Sequence, residues 1–216
     1  MRNVPLTIDR LPRYGTLLVA MLVEIVLAPL LMASGYLVAR LAMAAVLGAA
    51  LWAVGARRVT AALFLFALGA LVISSFWTSP AAYTSELCIR ILFVSYVTVR
   101  ILLAVLARRE VTLDTIAGAA CVYMLLGLIW AAGFLLLEHH SPGSFEIPDG
   151  WRLSGSDIGP AMVYFSYVTL TTVGYGDIRV TGPAASGLVV VEAIVGQLFI
   201  AVTVARLVGL HISRRE

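Results

Sequence analysis

Apolar runs dominate this chain, each of about 20 residues, the length a helix needs to cross a bilayer. They are Gly15–Ala33, Tyr36–Val54, Val59–Trp77, Tyr83–Leu106, Thr112–Leu137 and Ala184–Gly209. The breaks between them carry Ser34-Gly35, Gly55 with Arg57-Arg58, Pro80 and Arg108-Arg109. Without the Ser34-Gly35 break the first two runs would form one helix too long for any bilayer. Of the 216 residues 61% are hydrophobic and 12% charged, against about 25% charged in soluble domains. The expected fold is an all-α integral membrane protein with six transmembrane helices, and there is no room for a sizeable soluble domain.

Arg2, Arg10 and Arg13 precede the first run, as in a signal peptide, but the run is longer than the 7–15 residues of a signal-peptide core. It is therefore expected to be the first span. Arginines also set the orientation. They cluster in the N-terminal tail, at Arg57-Arg58, at Arg108-Arg109 and at Arg206, Arg214 and Arg215. The opposite side holds Arg152 and Arg179 against Glu138, Glu146, Asp149, Asp157 and Asp177. Cytoplasmic loops are enriched in Arg and Lys, so both termini are expected in the cytoplasm. A net charge of +3 is too small to suggest a nucleic-acid partner. Cys88 and Cys121 lie inside apolar runs without metal spacing and read as small buried hydrophobes.

The segment Glu138 to Gly182 is then extracytoplasmic. Glu138 to Asp157 is polar, with Pro142, Gly143, Pro148 and Gly150, and reads as a loop. Ile158 to Thr171, IGPAMVYFSYVTLT, is apolar and aromatic but too short to span, so a re-entrant helix is expected between the fifth and sixth spans. Pro160 suits its first turn, and Ser156 or Asp157 is a candidate cap. TTVGYGD follows at 171–177. Non-helical backbone at membrane depth is tolerated only where it is buried in protein or lines a water-filled path. A row of carbonyls pointing one way requires alternate residues of opposite backbone hand, which glycine reaches freely; hence Gly174 and Gly176.

TTVGYGD, placed between a short helix and a final span, resembles the selectivity filter of potassium channels. The resemblance covers roughly Thr112 to His211. It implies that Thr172, Val173, Gly174, Tyr175 and Gly176 form the filter, with K+ held at Thr172, Val173, Gly174 and Tyr175. Asp177 is then the acid of the outer mouth, and Tyr175 points outward as a brace. One strand of carbonyls cannot surround an ion, and the chain has a single Gly-Tyr-Gly, so a homotetramer in lipid is implied. A hinge in the family's last helix falls at Gly196, which reads equally as a small residue allowing close helix packing. With a hinge there, Gln197, Ile200 and Val204 line the cavity, and Ile200, Val204 and Val208 narrow its far end. Some members hold the mouth acid with a tryptophan or a carboxylate of the pore helix. This chain has Phe165 and Val168 there, so Asp177 needs another donor, Tyr164 or Tyr167.

Residues 111–216 are thus expected to be a potassium-channel pore domain, and residues 1–110 a four-helix, degenerate sensor-like region. The fourth run carries only Arg90 and Arg100, with apolar residues at the intervening third positions, so it is not a voltage-sensor ladder. The intramembrane charges Glu24, Arg40, Glu86, Arg90 and Arg100 need partners. Glu86 and Arg90 are spaced to pair on one helix, and Glu24 faces Arg100 or Arg40. Glu192 either bonds the pore helix or faces the cavity. His139 and His140 belong to a solvated loop or sense pH. The chain ends a few residues after the last run, which leaves no appended regulatory domain expected. The other readings are a poorly selective cation channel, a transporter component and a non-conducting accessory subunit. A transporter would show internal repeats, and this chain has none. No nucleophile triad, metal cluster or phosphate loop appears, so neither an enzyme nor a cofactor is expected. The economy of the chain suggests a prokaryotic cell membrane.

Overall fold

The computed structural model describes residues 13–32, 44–46, 48–50, 52–54, 58–76, 79–148 and 158–212. Its long elements are α1 (Arg13–Met32), α2 (Arg58–Phe76), α3 (Pro80–Ala107), α4 (Leu113–His140) and α6 (Pro183–Ile212). A 12-residue helix, α5 (Gly159–Leu170), and two short strands, β1 (Phe145–Glu146) and β2 (Arg179–Val180), complete it. Among the described residues three helices are long and apolar enough to cross a membrane: Pro80–Ala107, Leu113–His140 and Pro183–Leu210. These coincide with the fourth, fifth and sixth apolar runs. The first and third runs are helical as α1 and α2. Of the second, residues 44–46, 48–50 and 52–54 are helical, and the Ser34-Gly35 break lies outside the described residues.

Local chemistry sets the ends of the spanning helices. Ser79 caps α3 by accepting from the Ala82 amide, with Pro80 in the first turn, where its missing N–H costs nothing. Thr112 and Thr115 form a reciprocal capping box at the start of α4. Their short connection carries an Arg108–Asp114 ion pair at 3.3 Å, and the other Asp114 oxygen accepts from the Tyr14 amide at the start of α1.

Helix α4 is the centre of the fold and packs against α1, α3, α5 and α6. One core cluster joins Tyr14, Leu17 and Met21 of α1 to Val97 and Ile101 of α3 and to Val122 and Leu125 of α4. Outward-facing positions are apolar too: Val19, Val26, Leu92 and Leu103 are all more than half exposed. That inversion of the soluble pattern is expected where lipid is the solvent.

Intramembrane charges find partners in the helix bundle. Glu86 is buried and pairs with Arg90 at 3.7 Å, as their spacing predicts. Among the described residues, Arg90 lies in electrostatic reach of Glu24. Arg100 instead donates to the Tyr96 hydroxyl at 3.0 Å. Arg40 lies outside the described residues. Toward the end of α6, Arg206 donates to the carbonyls of Val105 (3.3 Å), Leu106 (2.5 Å) and Arg108 (3.1 Å). The orphan carbonyls that end α3 are thereby satisfied by a side chain from α6.

Candidate functional site

The site grows from α5. Twelve residues at about 1.5 Å rise give roughly 18 Å, well short of a bilayer. Its N-cap position is Ile158, which supplies no side-chain cap, and Pro160 lies in the first turn as expected; Ser156 and Asp157 lie outside the described residues. Phe165 packs in a three-ring cluster with Phe134 of α4 and Phe145 of β1, centroids 5.4–5.5 Å apart. Each such aromatic pair contributes about 0.5–1.5 kcal/mol beyond the area it buries. The cluster ties α5 to α4 and to β1.

Polar contacts complete the seat of α5. The Tyr167 hydroxyl donates to the Met124 carbonyl at 2.8 Å, and the Tyr123 hydroxyl to the Leu170 carbonyl at 2.8 Å. The Tyr167 ring lies so close to α4 that a Cβ on Gly127 would meet it at 2.6 Å. Ser166, fully buried, approaches the Gly127 carbonyl at 2.8 Å and Glu192 Oε1 at 2.5 Å. Glu192 is also fully buried, so of its two expected placements the structure shows the contact with the short helix α5. Gly196 lies one turn further along α6, and a Cβ there would meet the Leu170 carbonyl at 2.8 Å. The absence of a side chain at Gly196 thus allows α6 to approach the end of α5 closely.

From the end of α5 the chain leaves the helix, and Thr171 to Asp177 run as a single strand of backbone that belongs to no helix or sheet. The amides of Thr172, Val173 and Gly174 turn back to α5, bonding Thr169 O at 2.9 Å and Val168 O at 2.9 and 3.3 Å. Thr172, Gly174 and Gly176 have φ of +59°, +57° and +74°. Left-handed residues thus alternate with Val173 and Tyr175, whose φ is not positive. Among the described residues no backbone amide donates to the carbonyls from Thr172 to Gly176. Every residue from Thr171 to Asp177 is exposed, Tyr175 at 70%.

Asp177 closes the strand. Its Oδ2 accepts from the Tyr164 hydroxyl at 2.6 Å and its Oδ1 from the Ile178 amide at 3.0 Å. Of the two tyrosines with the right chemistry, geometry selects Tyr164, since Tyr167 is held by Met124. Desolvation first, and then the bond to Asp177, push the Tyr164 phenol up to about 12, so it keeps its proton through the neutral range. Past Ile178 the chain is held by the antiparallel β1–β2 pair, where Phe145 faces Val180 and Glu146 faces Arg179. The Thr181 and Gly182 amides both bond the Ser144 carbonyl, at 3.0 and 3.2 Å. The Arg179–Glu146 ion pair at 3.8 Å is open to solvent and adds little.

On α6, Gln197, Ile200, Val204 and Val208 are all exposed within the single chain. Only 11% of the most apolar stretch of this helix is buried, against 56% for α4. The His139 ring lies tilted against that of Tyr83 on α3, with centroids 5.0 Å apart. Sequence reasoning did not anticipate Tyr123, Ser166 or the left-handed Thr172. A serine inside an otherwise apolar helix was the one available signal among them.

No curated protein and no solved structure matches this chain. A family model described as "Ion channel" matches residues 152–211, the segment that holds α5, the 171–177 strand and nearly all of α6. Over that segment the chain is similar to an ion channel.

Proposed function

We propose that the chain is a potassium-selective channel, built from four copies around a filter of Thr172, Val173, Gly174, Tyr175 and Gly176. In this reading the chain has six spans, α5 is a re-entrant pore helix, and both termini are cytoplasmic in a prokaryotic cell membrane. The observation that carries it is the left-handed backbone at 172, 174 and 176, alternating along a strand whose carbonyls have no amide partner among the described residues. Such a row replaces the hydration shell of K+. The same strand is fully exposed in one chain. Unpaired backbone cannot face lipid, so further copies must surround it, with α6 turned to the common axis. The C-terminal end of α5 points its carbonyls toward the strand, and the negative end of a helix dipole favours a cation there. Asp177 raises the local cation concentration at the mouth. Gln197, Ile200 and Val204 line the cavity, and Gly196 adds a hinge to its packing role.

Ion flux from purified protein in liposomes tests this directly. The expected result is K+ flux over Na+, blocked by barium, from particles that native mass spectrometry weighs as four chains. Flux that does not separate K+ from Na+ would leave a poorly selective cation channel. A stable tetramer without flux would favour an accessory subunit.

Tyr164→Phe removes the donor to Asp177. Bonds to charged groups contribute about 1.5–3 kcal/mol, and the lower end applies to this half-exposed tyrosine. The expected outcome is a faster decay of K+ flux under a sustained gradient, with initial selectivity retained. A decay rate equal to that of wild type would show that the bond does not brace the mouth.

A further inference from the structure

Glu192 and Ser166 are each fully buried within a single chain. Neither lipid, bulk water nor a neighbouring copy therefore touches them, whatever the assembly. The Ser166 Oγ sits 2.5 Å from Glu192 Oε1 and 2.8 Å from the Gly127 carbonyl. A serine hydroxyl has one proton, and a backbone carbonyl only accepts. If Ser166 donates to Gly127, the bond to Glu192 needs its proton from the carboxyl. If Ser166 instead donated to a carboxylate, two oxygens would face each other at 2.8 Å with no proton between them. That carboxylate would also be buried without compensation. Its Oε2 has no hydrogen-bond partner, and no ion pair reaches Glu192 among the described residues. The titratable group facing it is Tyr123 of α4, whose proton is engaged by the Leu170 carbonyl. An unpaired buried charge is the costliest of these arrangements.

A second relation locates what this contact controls. Ser166 and Leu170 lie four apart on α5, and Glu192 and Gly196 four apart on α6, so each pair shares a helix face. Glu192 meets Ser166, and one turn on Gly196 meets the Leu170 carbonyl. The two contacts together fix both the rotation and the height of α5 against α6. Leu170 is the last residue of α5 before the strand turns out.

We infer that Glu192 is a neutral carboxylic acid whose proton completes a relay, Glu192 O–H to Ser166 O–H to the Gly127 carbonyl, and that this relay is a positioning element for ion selectivity. It clamps α4, α5 and α6 together behind the strand. Its link to selectivity rests on the function proposed above; its protonation state does not.

Two measurements on the full-length protein test it. Difference infrared spectroscopy should show a protonated-carboxyl C=O band in wild type at neutral pH that Glu192→Gln removes. Potassium-over-sodium flux ratios should stay at wild type in Glu192→Gln, whose amide donates to Ser166 in the same way. They should fall by roughly tenfold in Glu192→Leu, which strands a buried hydroxyl. Ser166→Ala should lower the ratio too, and it serves if Glu192→Leu does not assemble. A brace of merely structural worth would lower the melting temperature of these variants and leave the ratio unmoved. Absence of the band in wild type would overturn the neutral acid. Wild-type ratios in both Glu192→Leu and Ser166→Ala, or a Glu192→Gln ratio as low as that of Glu192→Leu, would overturn the selectivity role. A wild-type protein that conducts without preferring K+ would instead fail the proposed function, while the band would still decide the relay.

Discussion

Gly174→Ala and Gly176→Ala are each expected to abolish potassium-selective flux from an assembled tetramer. A Cβ at either glycine would meet nothing of its own chain within 4 Å, so the damage is not a collision within the chain. It comes from the backbone, which holds φ at +57° and +74°. An L-residue with a side chain gives up about 1–2 kcal/mol in that region, and the same penalty recurs in every copy around the axis. The inexpensive relief is rotation of the neighbouring peptide, which turns a carbonyl out of the row. Selectivity should therefore fail before assembly does. Flux ratios for K+ over Na+, together with the mass of the particle, read the two apart. A variant that keeps the wild-type ratio would show that these carbonyls do not coordinate the permeating ion.

The second large effect is expected at Gly196. An alanine Cβ there would lie 2.8 Å from both the backbone carbonyl and a methyl carbon of Leu170. Backbone at the end of α5 cannot move aside as a flexible side chain would. Overpacking of this kind costs about 1–3 kcal/mol. Gly196→Ala should lower the melting temperature and reduce flux together, because displacing Leu170 displaces the strand that follows it. Gly133→Ala is the matched comparison, since a Cβ at Gly133 meets nothing within 4 Å. In a helix interior that change should stabilise by up to about 1 kcal/mol. If Gly196→Ala lost flux with an unchanged melting temperature, a hinge would be its dominant role and not the close approach.

Much of the site was legible because its signals are local. A run of about 14 apolar residues is too short to span, and α5 appears where that run lies. Alternating backbone hand asks for glycine, and Gly174 and Gly176 supply it. Thr172 was not legible in this way. A threonine at φ +59° contradicts its own preference and is held there by what surrounds it, namely the amide bonds back to α5. The absence of an acid or tryptophan at Phe165 and Val168 raised the question of what holds Asp177. Two tyrosines had the chemistry, and only their placement on α5 chose Tyr164. Glu24 shows the same limit: Arg100 and Arg40 could be named as candidates, Arg40 lies outside the described residues, and Arg90, which the spacing did not single out, is in electrostatic reach.

By itself the sequence determined which of the described segments are helical, which is too short to span and where glycine lets the backbone turn left-handed. Those properties depend on length, on glycine and proline, and on capping residues close by along the chain. Only the tertiary structure decided that Glu192 meets Ser166, that Tyr123 holds the Leu170 carbonyl and that Gly196 lies against it. These contacts join residues 26 and 47 positions apart, on helices whose outward and inward faces are both apolar. When lipid and core prefer the same side chains, hydrophobic periodicity no longer marks the buried face. The packing of α5 between α4 and α6 then decides which polar atoms meet.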